Sequence, residues 1–345
     1  MRKIFIHHRS GHHSSHSGYA KLLDYMEAKI VDGLKTSIPY KLSKFISVKI
    51  SATAGNYDSQ SFNKEVELFK SLKNSSQEKS IVHYLNGERD VRYNLQFKKN
   101  YPSTKFVATF HKPPSVLKEK ITNLKYLNKL DAAVCVGKNQ VDFIKSWLDL
   151  EQVQYIPHGV DTNFFKPNES LEKEHCILFV GQHLRDFETL NWVIPKFEKF
   201  DPNLKIKVVG IPSALKKIQE NKNVIKLSGI DDNTLKRLYL TSKLLFLPLI
   251  DGTACNSILE AMACGLPIVT NKVGGSEAYL KGTHSCFEND REILYQQAIN
   301  LLEDSEKQKI QSFKVREKTQ EYDWRQVAKQ IENFHQKVIT SYHYE

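Results

Sequence analysis

Short apolar runs typical of β-strands alternate with stretches of helical periodicity along the whole chain, and this alternation limits the possible fold most strongly. In the first half the pattern predicts helices over residues 19–30, 62–72 and 139–147. The strands predicted for that half are residues 3–7, 45–50, 80–84, 105–110, 132–136 and 154–156. Runs rich in Ile, Val, Leu and Phe that alternate with helices indicate a parallel sheet covered on both faces.

The second half repeats this organisation. Its predicted strands are residues 176–180, 205–209, 224–227, 244–247, 267–270 and 285–287, and its predicted helices are 186–200, 232–241, 257–263, 288–302 and 324–339. Two such sets predict two doubly wound α/β domains. Residues 157–167, which hold Gly159 and two prolines, are typical of a linker. We therefore expect domains at 1–160 and 161–323, followed by a last helix at about 324–345.

Composition narrows the class of protein. The chain has 345 residues, 40% of them hydrophobic, which is enough for about two domains. Its five cysteines form no C-x-x-C pair, which indicates a reducing compartment. No signal-peptide core or membrane-spanning run is present in the sequence, so we expect a cytoplasmic protein.

Positive charge is concentrated in the first half. Residues 1–165 carry a net charge of +10 and residues 166–345 a net charge of +1, with nine basic residues and one acid between Arg92 and Lys129. Such a surface favours an anionic membrane at the inner face, an anionic acceptor or nucleic acid, although an ordinary solvated lysine-rich face explains it equally well. No helix-turn-helix or aromatic-basic RNA motif is present, so we do not expect a nucleic-acid partner.

One stretch, residues 246–275, carries the strongest functional signal. It reads FLPLIDGTACNSILEAMACGLPIVTNKVGG, which is a strand, a glycine-containing loop, a helix that begins near Asn256, and a second strand followed by two glycines. A helix that begins after such a loop offers free backbone N–H groups to a phosphate. Glu260 lies about one turn inside this helix, where its carboxylate can accept two hydrogen bonds from a ribose diol. A generic βαβ turn with a surface glutamate is the alternative interpretation.

The same stretch resembles the signature of family-4 retaining glycosyltransferases, which have the GT-B fold. Residues 260–267, EAMACGLP, match the second part of the family pattern, and residues 156–161, IPHGVD, resemble its linker motif. Thr109-Phe110-His111 resembles the strand end of the acceptor domain. The resemblance covers essentially the whole chain and implies two Rossmann-like domains that face each other across a cleft. Tyr322-Asp323-Trp324 resembles the start of the family's last helix, which implies that the helix at about 324–345 packs back on the first domain.

The resemblance implies roles for individual residues. Glu260 should bind the ribose of a nucleotide-sugar, and Gly181 should follow the strand that opens the donor domain. The loop after Asp251 should offer backbone N–H groups to the donor sugar or its phosphates; its residues are Gly252, Thr253, Ala254, Cys255 and Asn256. His111 should reach the donor sugar near the reacting carbon. Acceptor contacts are expected from Gly18, His16, His83 and Glu88.

Two positions depart from the family pattern. The usual first acid stands eight residues before Glu260, where this chain has Gly252, so Asp251 takes the place of that acid. The usual phosphate-binding Arg and Lys are replaced by Gln182 and Phe187, which leaves Arg185 as the candidate for a bidentate clamp on the diphosphate. These departures put the hydroxyl preference and the activity itself in question.

The sequence therefore predicts a retaining transfer of a sugar from a nucleotide-diphosphate sugar to an acceptor hydroxyl, in surface polysaccharide or glycolipid synthesis. The polar cluster formed by His7, His8, His12, His13 and His16 matches no familiar metal spacing, so we expect neither a metal nor another cofactor. Alternatives are an epimerase or phosphorylase on the same fold and a non-catalytic partner of an active transferase.

Overall fold

The alternation of strands and helices produces two parallel sheets with helices between successive strands. The computed structural model describes residues 1–7, 16–50, 59–73 and 79–340. By their internal contacts these residues form two compact units. The first comprises residues 1–7, 18–50, 59–73, 79–158 and 325–340, and the second comprises residues 16–17 and 159–324.

The first unit has a sheet of order β2-β1-β3-β4-β5-β6 in which every pair of neighbours is parallel. Its strands are β1 (Arg2–Ile6), β2 (Lys29–Val31), β3 (Ser80–Tyr84), β4 (Thr104–Phe110), β5 (Ala132–Cys135) and β6 (Val153–Tyr155). Its α-helices are α1 (Tyr40–Ile50), α2 (Ser59–Lys73), α3 (Gly87–Asp90), α4 (Pro114–Lys120) and α5 (Val141–Leu148), with 3₁₀ turns at Tyr19–Tyr25, Asn94–Asn100, Leu127–Lys129 and Lys138–Gln140.

The second unit has a sheet of order β12-β11-β10-β7-β8-β9, again parallel throughout. Its strands are β7 (Cys176–Val180), β8 (Lys205–Val209), β9 (Val224–Leu227), β10 (Leu244–Phe246), β11 (Ile268–Asn271) and β12 (Cys286–Phe287). Its helices are α6 (Phe187–Phe200), α7 (Pro212–Leu215), α8 (Asp232–Thr241), α9 (Asn256–Ala263), α10 (Ser276–Leu280), α11 (Arg291–Glu303) and α12 (Ser305–Thr319), with a 3₁₀ turn at Gln320–Tyr322.

The last helix, α13 (Trp324–Thr340), begins in the second unit and groups with the first from Arg325 onward. Within the first unit, Lys3 of β1 pairs with Glu332 at 2.5 Å. The buried His335 ring meets His83 of β3 at 2.9 Å between ring nitrogens. The chain therefore returns at its end to pack against the central strands of its first sheet.

Two sequence-based predictions of secondary structure were wrong, and the long helix α12 and several short helices were not predicted. The run 45–50, predicted as a strand, is the second half of helix α1, which contacts α2 rather than joining a sheet. The helix predicted over 19–30 is a short 3₁₀ turn followed by edge strand β2, which pairs with β1. Helix α12 was not predicted, because most of its surface is polar and exposed and it lacks an apolar stripe.

No helix in the described parts of the chain combines the length and the apolar character needed to cross a bilayer.

Candidate functional site

In the second unit, β7 and β10 are neighbours in the sheet although they are not consecutive in sequence. This is the point at which the strand order reverses, and ligands of doubly wound sheets bind outside the carboxyl ends of the strands at such a point. Gly181 follows β7 with a φ of +98°, a conformation that favours glycine. Arg185, in the loop after β7, and Leu249, in the loop after β10, form an isolated antiparallel bridge. The predicted donor-binding loops therefore meet at the topological switch point.

The Arg185 guanidinium connects three parts of this site. It donates to the carbonyls of Val180 and His183, both at 2.9 Å, and to Ser257 Oγ at 3.1 Å. A fourth contact, to Cys255 Sγ, measures 3.2 Å. A guanidinium has five N–H groups, so these bonds to described residues leave one available to a ligand. Arg185 thus holds the end of β7 against the start of α9, and the expected bidentate clamp requires some of these bonds to be given up.

The loop before α9 packs tightly against the glycine pair that follows β11. The amide of Gly275 donates to the Gly252 carbonyl at 2.9 Å. A Cβ on Gly275 would lie 2.3 Å from the Thr253 carbonyl oxygen, and one on Gly274 would lie 2.1 Å from that of Gly252. Asp251 accepts a bond of 2.7 Å from the Gly252 amide. Both glycines are therefore needed for the two loops to approach each other.

Helix α9 begins at Asn256 beside the Arg185 guanidinium. Its N-cap residue, Cys255, makes no side-chain cap, and the first turn contains no acidic residue. The partial positive charge of the helix end and the arginine charge act in the same direction, which favours an anionic group. Ala254, Cys255 and Asn256 are half-buried, whereas Thr253 is buried.

Glu260 is buried on α9, with 5% of its surface exposed. Its Oε2 accepts a hydrogen bond of 2.9 Å from the Tyr239 hydroxyl, and its Oε1 accepts one of 2.5 Å from Ser17 Oγ. Burial raises the pKa of Glu260 to about 7, while the bonds from Ser17 and Tyr239 and the charge of Arg185 oppose that rise. The carboxylate is thus placed, and its protonation balanced near neutrality, in the manner of a functional group.

His16 belongs to the second unit, which differs from its expected place in the acceptor domain. Its Nδ1 lies 2.9 Å from Asp161 Oδ2, and its ring stacks on Phe164 with centroids 3.6 Å apart. The chain passes into the first unit at the neighbouring Gly18, which has φ of 94° and ψ of 157°, a conformation that side chains rarely adopt.

His111 follows β4 in the first unit. Its ring Nε2 donates to the Leu85 carbonyl at 2.7 Å, so this nitrogen carries the proton. Its backbone amide and that of Lys112 both donate to Glu88 Oε1. The ring meets Tyr19 edge-on at 4.7 Å. Glu88 therefore orders the loop after β4, and the second carboxylate oxygen of Glu88 is buried without a hydrogen-bond partner among the described residues.

His83 is fully buried, which contradicts its expected role in lining an acceptor pocket. It bonds to His335 and, through Nε2, to Thr109 Oγ1 at 2.8 Å. Burial and the neighbouring His335 and His111 lower its pKa well below the ordinary value. His83 is therefore a neutral, hydrogen-bonded core residue.

Three members of the histidine cluster, His8, His12 and His13, lie outside the described residues. Among the residues that are described, no group of three or more His, Cys, Asp or Glu side chains is arranged to hold a metal ion.

Sequence reasoning missed two partners of Glu260. Tyr239 lies on α8 and Ser17 lies more than 240 positions away in sequence, so neither follows from the motif around the glutamate. Tyr239 gave only a weak signal: it lies in the apolar run LYL of a predicted helix, so its burial is expected, and a buried hydroxyl requires a partner. Ser17 gave no signal.

Comparison with known proteins finds similar sequences and folds. Residues 174–304 match the family model described as Glycosyl transferases group 1. A curated relative from Arabidopsis thaliana, one of the subunits of phosphatidylinositol N-acetylglucosaminyltransferase, is 26% identical over 162 residues, 43% of this chain. The match covers 36% of that relative, so this chain spans about a third of its length.

Two solved structures share the fold. HepE from Anabaena, in complex with UDP-glucose, has a TM-score of 0.69, with 14% identity over 97% of this chain and 100% of its own. Sucrose-phosphate synthase from Thermosynechococcus elongatus has a TM-score of 0.66 and 18% identity over 91% of this chain and 83% of its own. Residues 174–304 therefore resemble a group 1 glycosyl transferase domain, and the chain has the GT-B fold of these structures.

Proposed function

We propose that this protein is a retaining glycosyltransferase of the hexosyltransferase type, which moves a sugar from a nucleotide-diphosphate sugar to an acceptor hydroxyl. The observation that carries the proposal is the buried Glu260 carboxylate on the helix whose N-terminus lies beside Arg185 at the switch point. This arrangement pairs an acceptor of hydroxyl hydrogen bonds with a site for negative charge, which are the two needs of a nucleoside diphosphate.

Each part of the site has a proposed task. The ionised Glu260 accepts hydrogen bonds from the ribose. The start of α9 and the Arg185 charge stabilise the negative charge that develops on the leaving diphosphate. The diphosphate in turn assists the acceptor on the same face of the sugar. Asp251 faces sugar hydroxyls, and His111 is the proposed catalytic side chain of the first unit.

Charge neutralisation by Arg185 and the helix end is the basis for proposing that transfer needs no metal or other cofactor. A chelator such as EDTA should leave the transfer rate unchanged. A rate restored only by a divalent cation would overturn this part of the proposal.

The names of the relatives support a UDP-sugar donor and a lipid-linked acceptor. HepE was solved in complex with UDP-glucose, and the Arabidopsis relative is named for transfer of N-acetylglucosamine to phosphatidylinositol. We propose the same classes of donor and acceptor here, with the protein in the cytoplasm at the inner face of the membrane and with a role in glycolipid or surface polysaccharide synthesis.

A surface of the first unit supports contact with an anionic membrane. Leu34, Tyr40, Leu42 and Phe45 are all more than half exposed, and no acid occurs between residues 33 and 50. The exposed lysines Lys35, Lys41 and Lys44 lie among them. Apolar side chains flanked by lysines suit the boundary between anionic headgroups and acyl chains. We call residues 34–45 the docking surface.

The basic run between Arg92 and Lys129 is a weaker candidate for that contact. Arg92 is buried, and Lys98 and Lys105 both pair with Asp131, at 2.9 and 3.3 Å. Part of the charge in this run is therefore neutralised within the protein, which shifts the proposed contact to the docking surface.

A non-catalytic partner of an active transferase is the second candidate. It is favoured by the engagement of Arg185 with protein groups and by Asp251, which stands one residue from the usual acid position and accepts from its own neighbour. Such a partner would show no transfer.

Binding of UDP-, GDP- and ADP-sugars, followed by calorimetry together with donor hydrolysis, tests the proposal. We expect one nucleotide to bind selectively to the wild type and binding to be lost in Glu260→Ala. Glu306→Ala, at an exposed glutamate of the same unit, is the matched control and should bind like the wild type. If no nucleotide binds to the wild type, the donor-site proposal fails, whereas selective binding without transfer or hydrolysis would favour the non-catalytic partner.

A further inference from the structure

Both oxygens of the Glu260 carboxylate are occupied by protein hydroxyls. Tyr239 donates to Oε2 from α8, a neighbouring helix of the same unit. Ser17 donates to Oε1 at 2.5 Å from the short segment 16–17, which groups with the second unit. A carboxylate that binds the two hydroxyls of a diol in bidentate fashion uses one oxygen for each hydroxyl. The Ser17 hydroxyl therefore occupies one of the two oxygens that a ribose diol would use in this arrangement.

The contact is supported by the residue next to it. His16 is bonded to Asp161 and stacked on Phe164, and its ring is nearly parallel to the phenylalanine ring, at 6°. The other oxygen of Asp161 accepts from the amides of Asn163 and Phe164, at 3.2 and 3.0 Å. The Asp161 carboxylate is also buried. The group that holds His16 is therefore fixed by backbone amides of the residues that follow it.

The chain leaves this anchored position through Gly18. Its φ of 94° and ψ of 157° belong to a region that is accessible essentially only to glycine. Ser17 is thus held between the His16 anchor and a backbone conformation that only glycine accepts readily.

We infer that Ser17 is an internal competitor of the donor: its hydroxyl occupies Glu260 in the empty site and has to give up or share that carboxylate oxygen when a nucleotide-sugar binds. This inference rests on the proposed function, in which Glu260 binds the ribose. Donor affinity in the wild type is then reduced by the cost of breaking the Ser17 bond, and His16 sets that cost by holding Ser17 in place.

The direction in which removal of the Ser17 hydroxyl changes donor affinity separates a competitor from a residue that contacts the donor. If Ser17 itself contacted the donor, its removal would weaken binding. If it competes, its removal leaves Oε1 of the empty site without its protein partner and strengthens binding. Water replaces part of the lost hydrogen bond in the empty site of the variant, so we expect a gain of about 3- to 10-fold in affinity.

The experiment is calorimetric titration of UDP, GDP and ADP into the full chain at pH 8.5, with Ser17→Ala, His16→Ala and Ser305→Ala beside the wild type. At this pH the Glu260 carboxyl, whose pKa is about 7, is ionised, so affinity is not confounded by its protonation. Ser305 is an exposed serine at the start of α12 in the same unit and serves as the control.

We expect Ser17→Ala to bind about 3- to 10-fold more tightly, His16→Ala to shift in the same direction by less, and Ser305→Ala to match the wild type. Unchanged or weaker binding by Ser17→Ala, with wild-type binding intact, would overturn the inference and leave the proposed function standing. If the wild type binds none of the three nucleotides, both the inference and the proposed function fail. Melting temperatures of the variants show that each is folded.

Discussion

The Tyr239 hydroxyl lies 2.9 Å from Glu260 Oε2, and both side chains are buried between helices α8 and α9. Burial is the largest influence on each group and raises both pKa values, that of Glu260 to about 7. A buried glutamate so little compensated by cationic partners is a cost to the fold. We propose that donor binding, rather than stability, accounts for this placement.

This cost predicts the pH dependence of a Glu260→Gln variant. The ordinary pKa of a glutamate is near 4.5, so the folded wild type binds its proton more tightly than the unfolded chain does. Its free energy of unfolding therefore falls as the pH rises from about 4.5 through about 7. Glutamine has no proton to lose, and the variant should be more stable than the wild type by up to about 3 kcal/mol above pH 8 and similar to it near pH 4.5.

Urea unfolding at pH 4.5 and 8.5 measures this difference, and donor binding should be lost in the same variant. Glu306→Gln, at an exposed position, should show no such pH-dependent gain. A stability difference for Glu260→Gln that does not grow with pH would contradict the argument.

Arg185 is predicted to act as much by geometry as by charge. Arg185→Ala removes the donors to the Val180 carbonyl and Ser257, and should cost about 2 kcal/mol of stability and at least about 10-fold in donor affinity. Arg185→Lys keeps the charge but lacks the planar fork, so it should recover less than half of the lost binding free energy.

Calorimetry with the nucleotide that binds the wild type tests this pair. Arg237→Ala, at a surface arginine of α8, is the control and should bind normally. Wild-type affinity in Arg185→Lys would show that charge alone suffices.

The glycine loop offers a matched pair of substitutions. A Cβ on Gly275 would overlap the Thr253 carbonyl at 2.3 Å, whereas a Cβ on Gly252 would meet no atom within 4 Å. Gly275→Ala should therefore destabilise the protein by about 1–3 kcal/mol and weaken donor binding by displacing the loop, while Gly252→Ala should change stability by less than about 0.5 kcal/mol. Denaturant unfolding of both variants measures these changes in stability. Equal losses of stability would contradict the argument that Gly275 is needed for the close contact with Thr253.

The docking surface predicts binding to anionic vesicles at low salt. Each lysine near an anionic surface contributes about 1 kcal/mol, so Lys41→Gln with Lys44→Gln should weaken sedimentation with phosphatidylserine-containing vesicles by about 10-fold or more. Leu42→Gln with Phe45→Gln should weaken it as well, because the apolar contact is lost.

Phe313→Gln provides the control for that experiment. Phe313 is an exposed apolar residue of the second unit, 69% accessible, and its replacement should leave sedimentation unchanged. Equal sedimentation of the wild type with neutral and anionic vesicles would count against the membrane contact.

The two sets of parallel strands and the loop before α9 could be predicted from the amino-acid sequence alone. Strands such as β7, with all five residues buried, are continuous apolar runs, and a helix start after a glycine loop is a local feature. The motif around Glu260 could likewise be recognised from the sequence, because its residues are neighbours along the chain, on one helix and the loops beside it.

Other features depend on contacts between distant parts of the chain, which local pattern does not reveal. Residues 45–50 have the composition of a strand, yet no sheet edge receives them, and they are helical because α1 packs on α2. His83 follows a strand pattern that suits a site, yet α13 covers it through His335. Ser17 and Tyr239 meet on the Glu260 carboxylate because hydrogen bonds in a buried site join groups that are close in space, however far apart they lie along the chain.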